Sequence, residues 1–451
     1  MQDIIHELSW RGLIHQMTSP ETLADWLKEK PRTVYVGFDP TADSLHVGHL
    51  VALMNLRRFQ QFGHRPIALA GGATGMIGDP SGKSEERNLL TKEQIEENIK
   101  GVEKQFRNFL RFDDSSTGAS APGSVNGALL VNNADWFSKI MYIDFLRDVG
   151  KHFPVSMMMA KDSVRLRLDN TESGLSFTEF SYMLMQSYDF VHLYKTYNCE
   201  MQLGGSDQWG NITMGCEYAR RMGLGGQLQG LTSPLLTKSD GGKMGKTESG
   251  TLWLDPNRTP PYQFYQYWIN LDDADVEKTL KIFTDLSQQE IAEVMSQHRT
   301  DPGKRIAQRR LSDELTRLVH GEAGLSTAQK ATEIFFCGEI VSRGAVSRSA
   351  CGAIDDATLC SIFADVPSKE LPKDRLSQGL TLIDALVESG LASSKNEARR
   401  TIQQGGAYVN NRPMNDVDTV LTAEHLASES VLVLRTGKKR YALLRFCINR
   451  K

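Results

Sequence analysis

The chain has 451 residues, of which 40% are hydrophobic and 24% are charged, and its formal net charge is −3. This length excludes a single small module and predicts two or three domains with a large core. The six cysteines show no C-x-x-C spacing, and no apolar run approaches the length of a membrane span. These features predict a cytoplasmic protein with reduced thiols, no membrane-spanning helix and no zinc knuckle.

Strand signals alternate with helix signals through the first half of the chain. Helical spacing covers residues 3–17, and a β-branched run at residues 34–38 leads into a turn and another helix. Further strands are predicted at residues 66–70, 128–131 and 201–203. Strands that alternate with helices predict a doubly wound parallel sheet, Rossmann-like, whose ligand lies at the carboxyl ends of the strands.

The composition divides the chain into four segments. Residues 1–258 are predicted to form the α/β domain, which carries a Ser- and Gly-rich surface insertion at residues 113–127. Helical, aromatic and charged segments predict an all-α domain at residues 259–362, and prolines mark a linker at residues 363–374. Residues 375–451 are predicted to form a small α+β domain.

A histidine pair stands at the start of the helix that follows the first predicted strand. In His46-Val-Gly48-His49, both imidazoles share one face beside free backbone N–H groups, an arrangement that attracts phosphate. Gly48 has no side chain, so a flat adenine can approach the backbone. The pair could instead bind a metal ion, but no Glu follows the first histidine and no third ligand is near in sequence. We therefore expect no protein-bound metal.

A second signal comes from a loop nearly two hundred residues later. The segment Lys243-Met-Gly-Lys246-Thr247 is flanked by glycines, so this loop can bring two ammonium groups onto a triphosphate. The pattern is weak alone because such turns are common on solvated surfaces. Paired in this order with the histidine motif, it resembles the HIGH and KMSKS signatures of class I aminoacyl-tRNA synthetases, which form an ATP site.

Residues 78–84 imitate a phosphate-binding loop. Walker A sequences have four residues between their glycines, whereas this segment has three, and Ile77 stands where the first glycine should be. This spacing excludes a P-loop NTPase. Lys83 remains a candidate phosphate contact because a glycine-rich turn exposes N–H donors to an anion.

Three polar residues form one stripe of a predicted helix at residues 177–189. Tyr182, Gln186 and Asp189 are spaced i, i+4 and i+7, so a phenol, an amide and a carboxylate share one face. Helical periodicity alone favours a solvent-exposed polar face. The large apolar residues around the stripe favour a pocket, and both interpretations stay open from spacing alone.

Four blocks of sequence point to one family. Residues 35–41, 71–83, 177–189 and 204–211 resemble blocks of bacterial-type tyrosyl-tRNA synthetases, and the likeness covers essentially the full length. The resemblance implies a catalytic α/β domain in which L-tyrosine and ATP form tyrosyl-adenylate and pyrophosphate. Tyrosine would then pass to the terminal adenosine of its tRNA. The resemblance also implies Mg²⁺ carried by the phosphates of ATP, and a homodimer.

The resemblance further implies the residues of the active site. Those expected to bind tyrosine are Tyr35, Asp79, Tyr182, Gln186, Asp189 and Gln208. Those expected to take part in catalysis around the phosphates are Thr41, His46, His49, Lys83, Arg87, Lys243, Lys246 and Thr247. ATP contacts are also expected from Gly37, Asp39, Gly48, Gly205, Asp207 and Lys246. The chain departs from the class consensus at Gly245, which stands in place of a serine.

In the last segment, residues 375–377, 392–400, 406–410 and 413 resemble a small RNA-binding fold shared with a ribosomal small-subunit protein. Residues 373–451 carry 13 Lys or Arg against 8 Asp or Glu, and this excess of positive charge favours a polyanionic partner. The expected partner is tRNA. The residues expected to contact it are Lys395, Arg399, Arg400, Lys438, Lys439 and Arg440.

Two alternative functions compete with this interpretation. A tryptophanyl-tRNA synthetase shares the class architecture, but Tyr35 together with Asp189 disfavours it, because an indole needs no phenol partner. A non-catalytic RNA-binding or splicing protein built on the same fold is disfavoured by the intact histidine and lysine motifs.

Overall fold

The computed structural model describes residues 3–81, 90–112, 126–169, 174–224, 228–247, 250–336, 356, 359–360, 363, 366–437 and 440–447. The chain forms two compact units, residues 1–259 with 268–319 and residues 260–267 with 320–451. The domain boundaries given above stay a prediction, and nearly all of the predicted insertion lies outside the described residues. In the part of the chain that the structure describes, no helix is both long and apolar enough to cross a bilayer.

The described residues form helices and mostly short strands. The helices are α1 (Ile4–Trp10), α2 (Leu23–Glu29), α3 (Leu50–Gln61), α4 (Thr74–Ile77), α5 (Lys92–Phe109), α6 (Ala134–Phe137), α7 (Tyr142–Asp148), α8 (Val155–Met159), α9 (Asp162–Asp169), α10 (Phe177–Tyr197), α11 (Trp209–Arg221), α12 (Pro261–Ile269), α13 (Asp273–Phe283), α14 (Gln288–Thr300), α15 (Ile306–Phe336, interrupted at Gly321), α16 (Asp374–Ser377), α17 (Leu382–Glu388) and α18 (Lys395–Gln403). The strands are β1 (Gln16–Met17), β2 (Thr33–Phe38), β3 (Arg65–Ala70), β4 (Leu129–Asn132), β5 (Cys199–Gly205), β6 (Gln229–Ser233), β7 (Lys246–Thr247), β8 (Gly250–Thr251), β9 (Ser368–Pro372), β10 (Leu380–Thr381), β11 (Ala407–Val409), β12 (Arg412–Pro413), β13 (Val420–Leu421), β14 (Val431–Thr436) and β15 (Arg440–Cys447).

The first unit is built on a sheet whose six described strands run in the order β1-β6-β5-β2-β3-β4. Strands β2 to β6 are parallel, and the short edge strand β1 pairs antiparallel with β6. Strand β3 is buried at all positions after its first, which explains its continuous apolar sequence, since both faces of a parallel sheet are covered. The predicted doubly wound α/β class is confirmed.

The strand order fixes where a ligand should bind. From β2 the chain passes to β3 and β4 on one side, whereas β5 and β6 lie on the other side. The connections therefore diverge between β2 and β5, and their carboxyl ends form the switch point at which doubly wound folds bind ligands. Residues 39–41 follow β2, and residues 206–208 follow β5.

The N-terminal helix is shorter than predicted. Helix α1 ends at Trp10, and Gly12 adopts a φ of 73°, a left-handed conformation that a helix does not continue through. The prediction of helix through residue 17 is wrong, because Gln16 and Met17 pair with β6 as the edge strand β1.

Two buried arginines hold the carboxyl end of α13. Arg11 donates to three carbonyl oxygens of residues 281–286 at 2.7, 3.0 and 2.8 Å, and Arg58 donates to two in the same segment at 2.7 and 3.0 Å. Carbonyl groups at a helix end lack helical partners, and cations stabilise them. Burial, and after it the charge of Arg11, lowers the pKa of Arg58 to about 9. Because Arg58 lies on α3, these bonds fix α13 against α3.

The second unit contains a small α+β fold. Its described strands form a five-stranded sheet in the order β12-β11-β14-β15-β9, in which β9 runs parallel to β15 and the other pairs are antiparallel. Alternate residues of β14 and β15 pack with helices α17 and α18. Its core includes Leu382, Leu386, Ile402, Leu432, Leu434 and Leu444. This architecture agrees with the class predicted for the end of the chain.

Candidate active site

The histidine motif forms a turn of 3-10 helix, Val47–His49, that continues into α3. His46 Nδ1 accepts a hydrogen bond from the backbone N–H of Gly48 at 3.0 Å, and His49 Nδ1 accepts one from the N–H of His46 at 3.1 Å. Because both Nδ1 atoms accept, the ring proton of each neutral imidazole lies on Nε2. The rings stack with centroids 4.0 Å apart, so they share one face as the sequence predicted. The prediction of free N–H groups beside them is wrong, because the N–H of Val47 donates to Leu252 and that of His49 donates to His46.

The surroundings of His46 keep its ring close to the backbone and neutral. A Cβ atom at Gly48 would lie 2.7 Å from Cε1 of His46, so a side chain there would displace the His46 ring from this position. Burial lowers the pKa of His46, and the nearby positive charge of Lys246 lowers it further. The imidazole is therefore uncharged at neutral pH and can donate a hydrogen bond without carrying charge.

The lysine loop, residues 238–247, packs against the histidine motif. Gly245 adopts a φ of 80°, and a Cβ atom there would lie 2.5 Å from Cβ of Val47. The serine of the class consensus would be strained at this φ, and its Cβ would clash with Val47. Both effects explain why a glycine stands at this position. The N–H of Val47 also donates to the carbonyl oxygen of Leu252 at 3.1 Å. The two motifs are thus neighbours in the folded unit.

The chain that leaves the lysine loop pairs with the histidine motif. His46 and Trp253 form an antiparallel bridge, and their rings meet edge-on with centroids 5.8 Å apart. The guanidinium of Arg258 lies 4.4 Å from the centre of the Trp253 ring and pairs with Asp43 at 2.6 Å. The side chains of Lys243 and Lys246 are exposed, and both residues lie within two positions of Gly245, which packs on Val47.

Tyr35 and Asp189 form a buried polar pair in the first unit. Tyr35, on β2, is fully buried, and its hydroxyl has no hydrogen-bond partner among the described residues. The Tyr35 ring lies 5.3 Å from that of Phe190, the residue after Asp189. Burial raises the pKa of Tyr35 well above its usual range, and the charge of Asp189 raises it further. Burial also raises the pKa of Asp189 to about 8. Such a pair keeps hydrogen-bonding capacity for a polar ligand group inside an apolar interior.

Two residues that the sequence analysis missed hold the Asp189 carboxyl group. Trp136 Nε1 donates to one oxygen at 2.8 Å, and Asn133 Nδ2 donates to the other at 3.0 Å. Both residues follow the carboxyl end of β4, the edge at which this fold class binds ligands. The polar pair Asn132-Asn133 directly after a predicted strand is the signal by which sequence reasoning could have found this support.

An amide and carboxylate network joins three of the predicted tyrosine-binding residues. Gln208 Nε2 donates to Asp79 at 2.6 Å, and Gln186 Nε2 donates to Gln208 Oε1 at 3.2 Å. Asn211, which the sequence analysis did not identify, donates to Gln186 Oε1 at 3.0 Å. The structure therefore brings Asp79, Gln186 and Gln208 together.

Tyr182, a predicted tyrosine-binding residue, is hydrogen-bonded to Asp39, a predicted ATP-binding residue. Its hydroxyl donates to Asp39 at 2.9 Å, and Thr74 Oγ1 donates to the other oxygen of that carboxylate at 2.8 Å. Tyr182 and Asp189 are buried and Gln186 is half-buried, so the polar stripe of α10 faces the interior. The interpretation of this stripe as a solvent-exposed face is wrong.

The other predicted nucleotide residues lie at the ends of β2 and β5. Gly37 is the fifth residue of β2, and Thr41 is exposed just beyond that strand. Gly205 ends β5, and a Cβ atom there would lie 2.6 Å from Oδ1 of Asp207. Burial, followed by the charge of Asp79, raises the pKa of Asp207. These residues surround the switch point of the sheet.

Some predicted residues are not placed. Lys83, Arg87, Lys438 and Lys439 lie outside the described residues, and of Thr247 the structure describes the backbone, in β7. In the second unit, Lys395, Arg399 and Arg400 lie on α18, and Arg440 begins β15. Lys395 pairs with Asp384 at 2.7 Å, whereas Arg399 and Arg400 are exposed.

Comparison with known proteins identifies the family. Residues 27–337 match the family described as tRNA synthetases class I (W and Y), and residues 359–444 match the Tyrosine--tRNA ligase SYY-like C-terminal domain. The Tyrosine--tRNA ligase of Rhodopirellula baltica is 54% identical over 98% of this chain and 96% of its own length. That of Geobacillus stearothermophilus is 49% identical over 98% of this chain and 100% of its own length.

The chain belongs to the tyrosine-tRNA ligase family. A solved structure, that of a C-terminally truncated mitochondrial tyrosyl-tRNA synthetase from Aspergillus nidulans, has a TM-score of 0.66 at 30% identity and covers 74% of this chain and 95% of that chain. The family predicted from the sequence motifs is confirmed. Membership also favours an enzyme over a non-catalytic protein on the same fold, and tyrosine over tryptophan as the amino acid.

Proposed function

We propose that this chain joins L-tyrosine to its tRNA in two steps, of which the first converts tyrosine and ATP into tyrosyl-adenylate and pyrophosphate. One observation carries the proposal: the histidine motif and the lysine loop are in contact in the same unit that buries Tyr35 beside Asp189. Groups suited to a triphosphate and groups suited to a phenol therefore belong to one fold.

Tyrosine recognition is assigned to the buried pair. The substrate hydroxyl can donate to Asp189 while it accepts from Tyr35, whose own hydroxyl has no partner among the described residues. Phenylalanine would leave the Tyr35 hydroxyl without a partner and Asp189 without its bond to the ligand, and an unsatisfied buried group costs more than a satisfied one contributes. The oxygens of Asp79 and Gln186 are assigned to the substrate ammonium group, together with those of Tyr182 and Gln208.

Adenylate formation needs no proton transfer from the protein. The tyrosine carboxylate attacks the α-phosphorus in line, and the bond to pyrophosphate breaks. We assign phosphate binding to the Nε2–H donors of His46 and His49, and charge stabilisation on the leaving pyrophosphate to Lys243 and Lys246. Sequence resemblance adds Thr41, Lys83, Arg87 and Thr247 around the phosphates, and Gly37, Asp39, Gly48, Gly205 and Asp207 around the nucleotide.

Mg²⁺ is proposed to arrive with ATP. This small ion keeps much of its hydration and is usually held by phosphate oxygens and water with few protein ligands. Among the described residues, no group of three His, Cys, Asp or Glu side chains is placed to hold a metal ion. The proposal therefore assigns the ion to the nucleotide.

Transfer RNA is the proposed substrate of the second step, in which it accepts tyrosine. Exposed Arg399 and Arg400 on α18, with Lys395 and Arg440, offer positive charge to a phosphate backbone. Lys438 and Lys439 join this set by sequence. We also place the protein in the cytoplasm, where a reducing environment suits the free thiols among the described cysteines.

Pyrophosphate exchange across the twenty amino acids tests the function. Labelled pyrophosphate should enter ATP when L-tyrosine is supplied, because adenylate formation is reversible, and the other nineteen amino acids should give little exchange. The measurement is made with the full chain, ATP and Mg²⁺. Exchange that depends on tryptophan, or on no amino acid, would contradict the proposal.

An apolar surface in the first unit supports a homodimer. Eight of the ten large hydrophobic side chains that are exposed among the described residues fall within residues 141–177. Helix α7 buries none of its residues. A surface of this kind marks a contact with another protein, and a two-fold pair of identical subunits is the commonest soluble assembly. The eight are Met141, Tyr142, Ile143, Leu146, Val155, Met159, Leu168 and Phe177.

Replacing Ile143, which is 68% exposed, with lysine should dissociate the proposed dimer. A charge in an apolar interface stays without a partner and costs several kcal/mol, on the order of 3–5. Light scattering should give about twice 50.4 kDa for the wild type and 50.4 kDa for Ile143→Lys. Val420→Lys, at an exposed site outside the stretch, is the matched control and should remain dimeric. A monomeric wild type would overturn the proposal.

A further inference from the structure

The first turn of α13 contacts the start of the lysine loop. The backbone N–H of Ser239 donates to both carboxylate oxygens of Asp275, at 2.9 and 3.1 Å, and its hydroxyl donates to Oδ2 at 3.0 Å. Asp275 has 4% of its surface exposed. Hydrogen bonds to a buried carboxylate are short, directional and strong, so this contact is an anchor for the loop.

Helix α13 is itself fixed at both ends. At its start, Asp273 lies 3.1 Å from Nε2 of His298 and accepts a hydrogen bond from Gln308 at 2.5 Å. At its end, Arg58 donates to two carbonyl oxygens. Arg58 lies on α3, the helix that continues from the histidine motif. The carboxylate of Asp275 therefore has a defined position relative to that motif.

A closed turn connects the anchor with the first lysine of the signature. The N–H of Lys238 donates to the carbonyl oxygen of Gly242 at 2.8 Å, and the N–H of Gly241 donates to that of Lys238 at 3.0 Å. The N–H of Gly242 donates to the Asp240 carboxylate at 2.7 Å, and these three bonds close the turn. Thr237 and Lys243 pair across its base. Because the turn is bonded internally, a displacement of Ser239 should carry Lys243 with it.

We propose that Asp275 is a positioning residue that holds the lysine loop in register with the histidine motif for adenylate formation. The inference rests on the proposed role of the loop and adds a residue from the helical segment, outside both signatures. Asp275 acts through Ser239 on Lys243. Its loss should therefore slow the chemical step and leave tyrosine binding intact, since Tyr35 and Asp189 lie on other elements.

The test compares Asp275→Ala, Asp275→Asn and Ser239→Ala in the full chain. Single-turnover formation of tyrosyl-adenylate, at saturating tyrosine and ATP, should slow about tenfold in Asp275→Ala, which removes the acceptor of both the Ser239 N–H and the Ser239 hydroxyl. Asp275→Asn should recover part of the rate because its amide oxygen still accepts. Ser239→Ala should slow least, since the backbone N–H remains. The Kd for tyrosine should be unchanged in all three.

Two controls separate positioning from charge and from folding. Asp272→Asn removes the same charge from the same helix start, where Asp272 makes no side-chain capping bond, and it should leave the rate unchanged. In the Asp275→Ala background, Ser239→Ala should cause little further loss, because the shared contact is already gone.

Several outcomes would overturn the inference. The first two are a wild-type rate of adenylate formation in Asp275→Ala, and a rate loss in the double variant that equals the product of the two single losses. The others are a loss of tyrosine affinity as large as the loss of rate, and a slowing by Asp272→Asn as large as that by Asp275→Ala. If Asp275→Ala folds poorly, the rate of adenylate formation and the Kd for tyrosine in Asp275→Asn and Ser239→Ala test the inference instead. A wild-type chain that forms no tyrosyl-adenylate would instead contradict the proposed function, so the two failures are distinguishable.

Discussion

Replacing Asp189 with alanine is expected to lower the ratio of kcat/KM for tyrosine over phenylalanine by about 5- to 150-fold. A buried hydroxyl that loses its hydrogen-bond partner costs about 1–3 kcal/mol, and each 1.36 kcal/mol is a factor of ten in rate. The substrate hydroxyl loses this bond, whereas phenylalanine has no hydroxyl to lose. Pyrophosphate exchange with each amino acid in turn measures the ratio.

The structure explains why the effect should be confined to the phenol. Asn133 and Trp136 each donate to one oxygen of Asp189, so its orientation is fixed before any ligand arrives. Tyr35→Phe removes the second contact and should have the smaller effect, about 2- to 10-fold on tyrosine, because the substrate hydroxyl still has Asp189 as its partner. An unchanged ratio in Asp189→Ala, at normal kcat/KM for tyrosine, would place the phenol pocket elsewhere.

The strands around the site could be read from the sequence because each is a short apolar run between turn signals. The strands predicted at residues 34–38 and 66–70 correspond to Thr33–Phe38 and Arg65–Ala70 in the structure, so each predicted end lies within one residue of the observed end. Parallel strands covered on both faces require such runs, so the pattern and the fold agree. The edge strand β1 escaped prediction, since two residues paired with a distant strand leave no local pattern.

The contacts between distant residues could not be predicted. Periodicity placed Tyr182, Gln186 and Asp189 on one stripe, but the same spacing fits an exposed face, and the fold decided that the stripe points inward. The bonds of Trp136 to Asp189 and of Ser239 to Asp275 join residues 53 and 36 positions apart. Pairings of this kind depend on how packed elements meet, which no local pattern encodes.

Alanine at Lys243 or Lys246 is expected to slow adenylate formation by about 10²–10³-fold, the usual effect of removing one group aimed at charge that develops in a transition state. Both side chains are exposed beside the histidine motif, where Gly245 packs on Val47. The negative charge grows on the leaving pyrophosphate during bond breaking, so the loss should appear in kcat more than in KM. Rapid-quench measurement of tyrosyl-adenylate gives the rate.

The affinity for tyrosine distinguishes loss of catalysis from loss of structure in these two variants. Tyrosine binds between β2 and α10 in the proposed site, so its Kd should be the same as in the wild type when either lysine is removed. Lys304→Ala, at an exposed lysine of the same unit that pairs with Asp301 at 3.3 Å, is the matched control and should change neither quantity. The double variant Lys243→Ala with Lys246→Ala should lose less than the product of the single losses, because two ammonium groups that act on one pyrophosphate are coupled. A rate loss in the double variant that equals the product of the single losses would mean that the two lysines contact separate groups. That result would contradict the proposed role of the loop.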